Sequence, residues 1–364
     1  MAARRIRMVK GPATVTVQGS CHVLGSNVSG QTISVRAGKA LPFEPSYRCR
    51  LHVRLGRGGR IWTADPVTAG TAMWHGIVRK ILALASEQKS ITVMLAGDTD
   101  TGKSTLSAYI ANMALANGMK PCIIDGDIGQ GDLAPPSAIG AEALSRQTTD
   151  LRDIRASLFE FVGSISPVGI EHFVTGKLRV ILDRCRPLGD IIIVNTDGYV
   201  KDGGVSYKMH LAEELKPDAI VCLGEDLPLF DELRSGPWQV LRAKASSQAY
   251  KSRTERIGRR LDQFLRHVGD GSASIYLEQI TFVYMDKTFS PHEILQPPIK
   301  QLEPENMEGM FVGLAGSENN IEGFGVISSI NHDKLHVQTD VQAFSRVYLS
   351  NIRLGKDMAT EIKI

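Results

Sequence analysis

Residues 97–105 read GDTDTGKST. Gly97, Gly102, Lys103 and Ser104 stand at the G-x-x-x-x-G-K-[ST] spacing of a phosphate-binding loop. The chemistry needs these residue types at these places. Glycines let the backbone turn its N–H groups onto phosphate oxygens. A lysine at the end of the loop reaches the β and γ phosphates, and the next hydroxyl can hold Mg²⁺. The whole stretch Gly97, Asp98, Thr99, Asp100, Thr101, Gly102, Lys103, Ser104 and Thr105 is therefore the candidate nucleotide-binding segment. The open question is where a terminal phosphate would go.

Carboxylates for a metal or a base should lie near such a loop. "CIIDGDIGQG" supplies Asp125 and Asp127, and "IIIVNTDG" supplies Asp197. Each is an acid at the end of an apolar run. Turn aspartates beside glycine look the same, so the residues alone leave the choice open. "KSRTERIGRRLDQFLRH" (251–267) carries six Lys/Arg against two acids. As a helix it groups Arg253, Arg256, Arg259 and Arg260 at spacings of three and four. Ile257, Leu261, Phe264 and Leu265 form another face. Two readings compete: a solvated amphipathic helix, or a lid whose arginines neutralise a transferring phosphoryl group. In the second, Arg260 lies farthest from the contact and should matter least. His332 and His336 stand four apart without the glutamate of H-E-x-x-H, and both are read as structural or exposed.

These groups need elements to hold them. "SITVMLAG" reads as a buried strand entering the loop, and "STLSAYIANMALANG" as the helix leaving it, with Gly118 a stop and Pro121 beyond. "AMWHGIVRKILALASEQ" (72–88) has helical periodicity. "PCIID", "DIIIVNTDG", "DAIVCLG" and "PWQVLRAK" are further strands. The alternation predicts an α/β domain with a mostly parallel sheet, residues 71–268. Before it, residues 1–70 hold short alternating pieces such as "TVTVQG" and "RLHVRL", with "GRGGR" a turn between Leu51–Leu55 and Arg60–Trp62. After it, residues 269–364 hold pieces such as "SIYLEQITFVYMD" and "GFGVISSIN". The prediction is a central P-loop domain flanked by an N-terminal and a C-terminal β-domain, the latter barrel-like.

Composition narrows the class. Forty-two basic residues against 39 acidic give +3, so a nucleic-acid partner must be held by a local basic patch. Five scattered cysteines without a C-x-x-C pair speak against a disulfide framework or zinc knuckle. No apolar run approaches the roughly 20 residues of a membrane helix. The basic N-terminus lacks the apolar stretch of a signal peptide. A cytoplasmic enzyme without a membrane partner is expected.

The chain resembles the polynucleotide 5′-hydroxyl kinases of RNA processing, a family that includes the pre-mRNA cleavage-factor and rRNA-processing kinases and a shorter archaeal form. Four stretches carry the likeness in order: "GDTDTGKST", "DGDIGQG", "FVGSISP" and "NTDGYVKDGG". The absence of long insertions is similar to the archaeal members. The resemblance implies a three-domain layout and ATP- and Mg²⁺-dependent phosphorylation of the 5′-hydroxyl of RNA or DNA, with RNA-processing proteins as further partners. It implies phosphate and metal roles for Lys103 and Ser104. It favours Asp127 as the acid that activates the attacking hydroxyl or holds the metal shell, with Gln130 in the same motif on the substrate. Thr196, Asp197, Gly198 and Tyr199 match a clasp on the nucleic-acid end, where many members have tryptophan in place of Tyr199. Arg253 and Arg256 match the lid arginines. A family member that only holds ATP as a scaffold is the alternative. A GTPase is disfavoured because N-K-x-D is absent.

Overall fold

The structure, a computed structural model, describes residues 5–66, 71–225, 227–245, 252–291, 293, 304–331, 333–355 and 359–361. His332 lies outside them. The chain divides into two compact units. The first comprises Met1–Ile124, Glu142–Arg155 and Leu182–Ser252, and the second Asp125–Ala141, Ala156–Ile181 and Arg253–Ile364.

In the first unit five strands run in the order Pro121–Gly126, Ile191–Thr196, Ile91–Gly97, Ala219–Leu223, Gln239–Ala243. The last four are parallel to their neighbours. Every residue of Ile91–Gly97, Ile191–Thr196 and Ala219–Leu223 is buried. That explains their unbroken apolar runs, since a parallel strand is covered on both faces. The helix Lys103–Ala116 is apolar around most of its circumference and buries Leu106, Ile110 and Ala114, as a core helix must. It ends where expected, with Gly118 at φ +75° and its N–H on Leu115 O at 3.1 Å. The predicted helix at 72–88 is Thr71–Glu87.

The N-terminal strands form two antiparallel sheets. One orders Ser26–Asn27, Cys21–Val23, Ala40–Pro45, Ile6–Lys10, Arg60–Ala64, and the other Thr32–Val35, Ala13–Gln18, Arg50–Leu55. The Gly56–Gly59 turn is present, but the strands it joins do not pair with each other. Arg50–Leu55 pairs with Ala13–Gln18 and Arg60–Ala64 with Ile6–Lys10. The chain changes sheet at both places at once. Gly56 N–H donates to Pro12 O at 2.8 Å, and a Cβ on Gly59 would lie 2.5 Å from that oxygen.

Buried polar groups tie this β-region to the parallel sheet's helix. Asn112, fully buried, donates to Leu24 O and Thr148 O and accepts from Thr148 N–H, each at 2.8 Å. Asp150, with a side chain 2% exposed, meets Arg36 at 3.0 Å, Lys39 at 3.1 Å and Arg152 at 2.9 Å. Burial by itself would raise its carboxyl, but Lys39 and Arg152 outweigh this and hold it well below the usual carboxylate range.

In the second unit the C-terminal strands run Ser272–Tyr276, Lys334–Gln338, Ile321–Ile330, Met310–Ala315, Arg346–Leu354, Thr281–Tyr284, Lys287–Phe289. This is an open path among the described residues, in place of the barrel expected from the short strands and turns. Its two end strands pair inward only. "SIYLEQITFVYMD" is not one strand, because a 3₁₀ turn at Leu277–Gln279 breaks it. The helix Arg253–Val268 buries Gln263, Phe264 and Val268. Phe264 packs edge-on to Phe311 at 4.8 Å between ring centroids, a favoured aromatic geometry. All five cysteines are free. No helix among the described residues is long and apolar enough to cross a membrane.

Asp150 generates a prediction. Asp150→Asn leaves two nearly buried cations without their counter-charge and should cost about 3 kcal/mol in denaturant unfolding. Because the folded carboxyl is lowered, its contribution is complete above the unfolded value of about 4 and is lost only as pH falls through the folded value. The wild-type advantage over Asp150→Asn should therefore be constant at neutral pH and shrink in acid.

Candidate active site

The first unit builds the phosphate loop at the carboxyl end of Ile91–Gly97. Gly97, Asp100 and Gly102 have φ of +148°, +60° and +100°, the conformations that wrap backbone N–H groups around an anion. A Cβ on Gly97 would lie 2.3 Å from Leu223 O, so no other residue fits there. Thr101 Oγ1 donates to Asp98 O at 2.9 Å. Lys103, 6% exposed, donates through Nζ to Gly97 O at 2.8 Å and Asp98 O at 2.9 Å. Its ammonium thus lies along the loop it closes. Ser104 Oγ accepts from Asn195 Nδ2 at 3.3 Å.

The "NTDG" segment leaves the neighbouring strand beside this loop. A Cβ on Gly198 would stand 2.6 Å from Thr99 N and 2.8 Å from Thr99 Cα. Glycine is required because two backbones touch. Thr196 and Asp197 spend their side chains inside the unit. Thr196 Oγ1 donates to Leu95 O at 2.8 Å. Asp197, 4% exposed, accepts from Lys208 Nζ and Tyr199 N–H at 2.8 Å each, and from Tyr207 OH at 3.2 Å. Lys208 is completely buried. Tyr199 is half-buried, donates its hydroxyl to Asp202 O, and has its ring 6.1 Å from that of Tyr207. Of the four clasp candidates, Gly198 and Tyr199 offer surface, while Thr196 and Asp197 hold them in place. Asn195, Tyr207 and Lys208 went unnoticed in the sequence. Lysine on a helix is ordinarily read as exposed, and only burial marks Lys208 as a partner.

The second unit carries the D-x-G-Q loop. Asp125, wholly buried, accepts from Asp132 N–H at 2.5 Å and Leu133 N–H at 3.2 Å. Asp127 Oδ1 accepts from Gly129 N–H at 3.2 Å and Gln130 N–H at 2.9 Å, an Asx turn. The two acids that the sequence left equivalent therefore differ. Asp125 is buried in the loop's framework, and Asp127 is half-buried at its turn. Both polar atoms of the Gln130 carboxamide are buried with no hydrogen-bond partner among the described residues. Such a group costs about 1–3 kcal/mol and suits a residue that waits for a ligand.

The helix Arg253–Val268 is bonded to this loop. Arg259 Nη2 meets Asp132 Oδ1 at 2.5 Å and Gln130 O at 3.0 Å. Arg260 Nε donates to Gly129 O at 2.9 Å, and Gln263 Nε2 to Gly131 O at 3.0 Å. Arg253 is exposed and Arg256 half-buried at the helix start. Arg259 and Arg260 both contact the loop, although Arg260 was expected to matter least. His336 Nε2 lies 3.4 Å from Asn331 Nδ2. Among the described residues no group of three or more His, Cys, Asp or Glu could hold a metal ion on protein ligands alone.

The model of the "mRNA cleavage and polyadenylation factor CLP1 P-loop" family matches residues 97–267. That span starts at Gly97 and ends in the arginine helix. Residues 97–267 are similar to that P-loop model. The chain is 26% identical to a polyribonucleotide 5′-hydroxyl-kinase of Pyrococcus abyssi over 75% of this chain and 89% of that one. It is 30% identical to the human polyribonucleotide 5′-hydroxyl-kinase Clp1 over 41% of this chain and 37% of that one. Among solved structures, Clp1p in its complex with Pcf11p superposes with a TM-score of 0.73 at 14% identity, covering 96% of each chain. The fold of the chain thus follows that of Clp1p over nearly its whole length.

The Asp197–Lys208 pair is open to test. Lys208→Met keeps the volume but strands a buried carboxylate, and should destabilise the protein by about 3–5 kcal/mol in chemical denaturation. The double variant Lys208→Met/Asp197→Leu should recover part of that loss, because removing both charges costs less than removing one.

Proposed function

We propose that the protein is an ATP-dependent polynucleotide 5′-hydroxyl kinase that transfers the γ-phosphate of ATP to the 5′-hydroxyl of RNA, DNA or both. The observation that carries this reading is the backbone contact of Gly198 with Thr99. It makes the phosphate loop and the clasp segment neighbours, as a phosphate donor and an acceptor end must be. The names of the archaeal and human relatives support the same activity.

The roles follow from local chemistry. Phosphoryl transfer asks a protein mainly to position groups and neutralise charge. Backbone N–H groups of Gly97–Thr105 cradle the phosphates. Lys103 exchanges the carbonyls of Gly97 and Asp98 for phosphate oxygens, which its flexible stem permits. The Ser104 hydroxyl suits Mg²⁺, a hard cation that takes most of its other ligands from phosphate and water. Mg²⁺ supplies charge neutralisation on the phosphates. Asp127, for which a metal contact was the other expectation, orients or deprotonates the attacking hydroxyl. Gln130 bonds the substrate end with its unpartnered carboxamide. Gly198 and Tyr199 bear on the terminal nucleotide, positioned by Thr196 and Asp197. Arg253 and Arg256 serve the transferring phosphate, while Arg259 and Arg260 keep the D-x-G-Q loop in shape. RNA-processing proteins are the natural company of such an enzyme.

Incubation with γ-labelled ATP and matched 5′-hydroxyl RNA and DNA oligomers should give labelled 5′ ends. Lys103→Ala should lower that rate by about 10²–10³-fold with a nearly unchanged melting curve. Wild-type turnover in Lys103→Ala would remove the loop from the mechanism. An arginine scan separates the two pairs on the helix. Arg253→Ala or Arg256→Ala should cut turnover at least about a hundredfold at unchanged stability. Arg260→Ala should lower the melting temperature along with activity. A scan flat in both readouts would return the helix to a solvated face.

A further inference from the structure

The chain's charge is unevenly distributed. Residues 1–60 carry eleven Lys and Arg against one acid, Glu44, while the rest carries 31 against 38. The near-neutral total conceals a strongly basic N-terminal region. Such asymmetry marks a surface for a polyanion.

The fold orders part of this charge. Arg50–Leu55 is an edge strand, paired on one side with Ala13–Gln18. Its register sets Arg50 opposite Gln18, His52 opposite Thr16 and Arg54 opposite Thr14. The inward partners Ala13, Val15 and Val17 are buried, so these pairs face outward. Thr32 and Ser34 extend the same face on the third strand, and both are exposed. No carboxylate or apolar side chain interrupts the face. Arg50 and Arg54 are exposed, and neither has an ion-pair partner among the described residues. Arg50, His52 and Arg54 recur about every 6.6 Å along the strand, of the order of one nucleotide step on an extended chain. Tyr47, fully exposed in the turn before the strand, adds a ring for base stacking. Arg48 and Arg57 flank the strand at its two ends.

A merely soluble sheet face would mix charges of both signs. A row of arginines beside a row of hydroxyls, without an acid, fits phosphodiester oxygens. We propose that the outer face of Thr32–Val35, Ala13–Gln18 and Arg50–Leu55 binds the sugar–phosphate backbone of a single-stranded polynucleotide, and, resting on the kinase reading, that this strand is the substrate beyond its 5′ end. The contact is sequence-independent, since phosphate contacts position a strand and carry no base readout.

The test measures binding of single-stranded 5′-hydroxyl oligomers of about twenty and about four nucleotides by fluorescence anisotropy across salt concentrations, alongside transfer to both. Arg50→Gln/Arg54→Gln should weaken the long oligomer about tenfold near 0.1 M salt and reduce the magnitude of its salt slope by about 1.4, two phosphate contacts at about 0.7 each. Transfer to the short oligomer and the melting curve should stay at wild type. Arg50→Lys/Arg54→Lys should keep the wild-type slope. An unchanged slope and affinity for the long oligomer, or an equal loss on both lengths, would overturn the proposal. A slope change in a protein that labels neither oligomer would support this surface while removing the kinase reading.

Discussion

A parallel strand covered on both faces can present chemistry only where it ends. Ile91–Gly97, Ile191–Thr196 and Ala219–Leu223 are buried along their whole length, so the polar groups of the first unit gather at their carboxyl ends. Ligands in open α/β sheets bind at such ends. The same crowding dictates residue types. Gly97 meets Leu223 O and Gly198 meets the Thr99 backbone at distances that exclude a side chain. The phosphate loop and the NTDG turn lie side by side because three strands end side by side.

Buried charge performs the positioning. Asp197 with Lys208 and Tyr207 holds the clasp turn, and Asp150 with Lys39 and Arg152 holds the N-terminal β-region. In the second unit, Asp125 gathers the N–H groups of its own loop. A buried ion pair is a poor source of stability but is costly to break. It therefore resists alternative arrangements of the loops it joins. Acids that look alike in sequence thus differ in burial and in the groups they hold.

The N-terminal region adds a second kind of electrostatics. Its arginines are exposed and ordered by strand register, so their interactions are long-ranged and weakened by salt. Pockets of buried charge fix geometry, whereas an open basic face attracts a chain without choosing its sequence.

The sequence by itself determined the phosphate loop, the parallel strands around it and the amphipathic arginine helix, because spacing and periodicity are local and directly encode them. It also determined the order of motifs within the span that the CLP1 P-loop model matches. Tertiary structure decided what local pattern cannot express. The turn at Gly56–Gly59 was readable, yet which sheet each flanking strand joins depends on Pro12, more than forty positions away. The short strands and turns of the C-terminal region suited a barrel, but pairing order is a non-local property, and the described strands follow an open path. Asp125 and Asp127 stand two apart in one motif, and only burial distinguishes framework from turn. The arginines of the helix look alike in sequence, and only the packed loop shows that Arg259 and Arg260 are bonded to it. Lys208 carries no local signal, since its meaning lies in the carboxylate that folding brings to it.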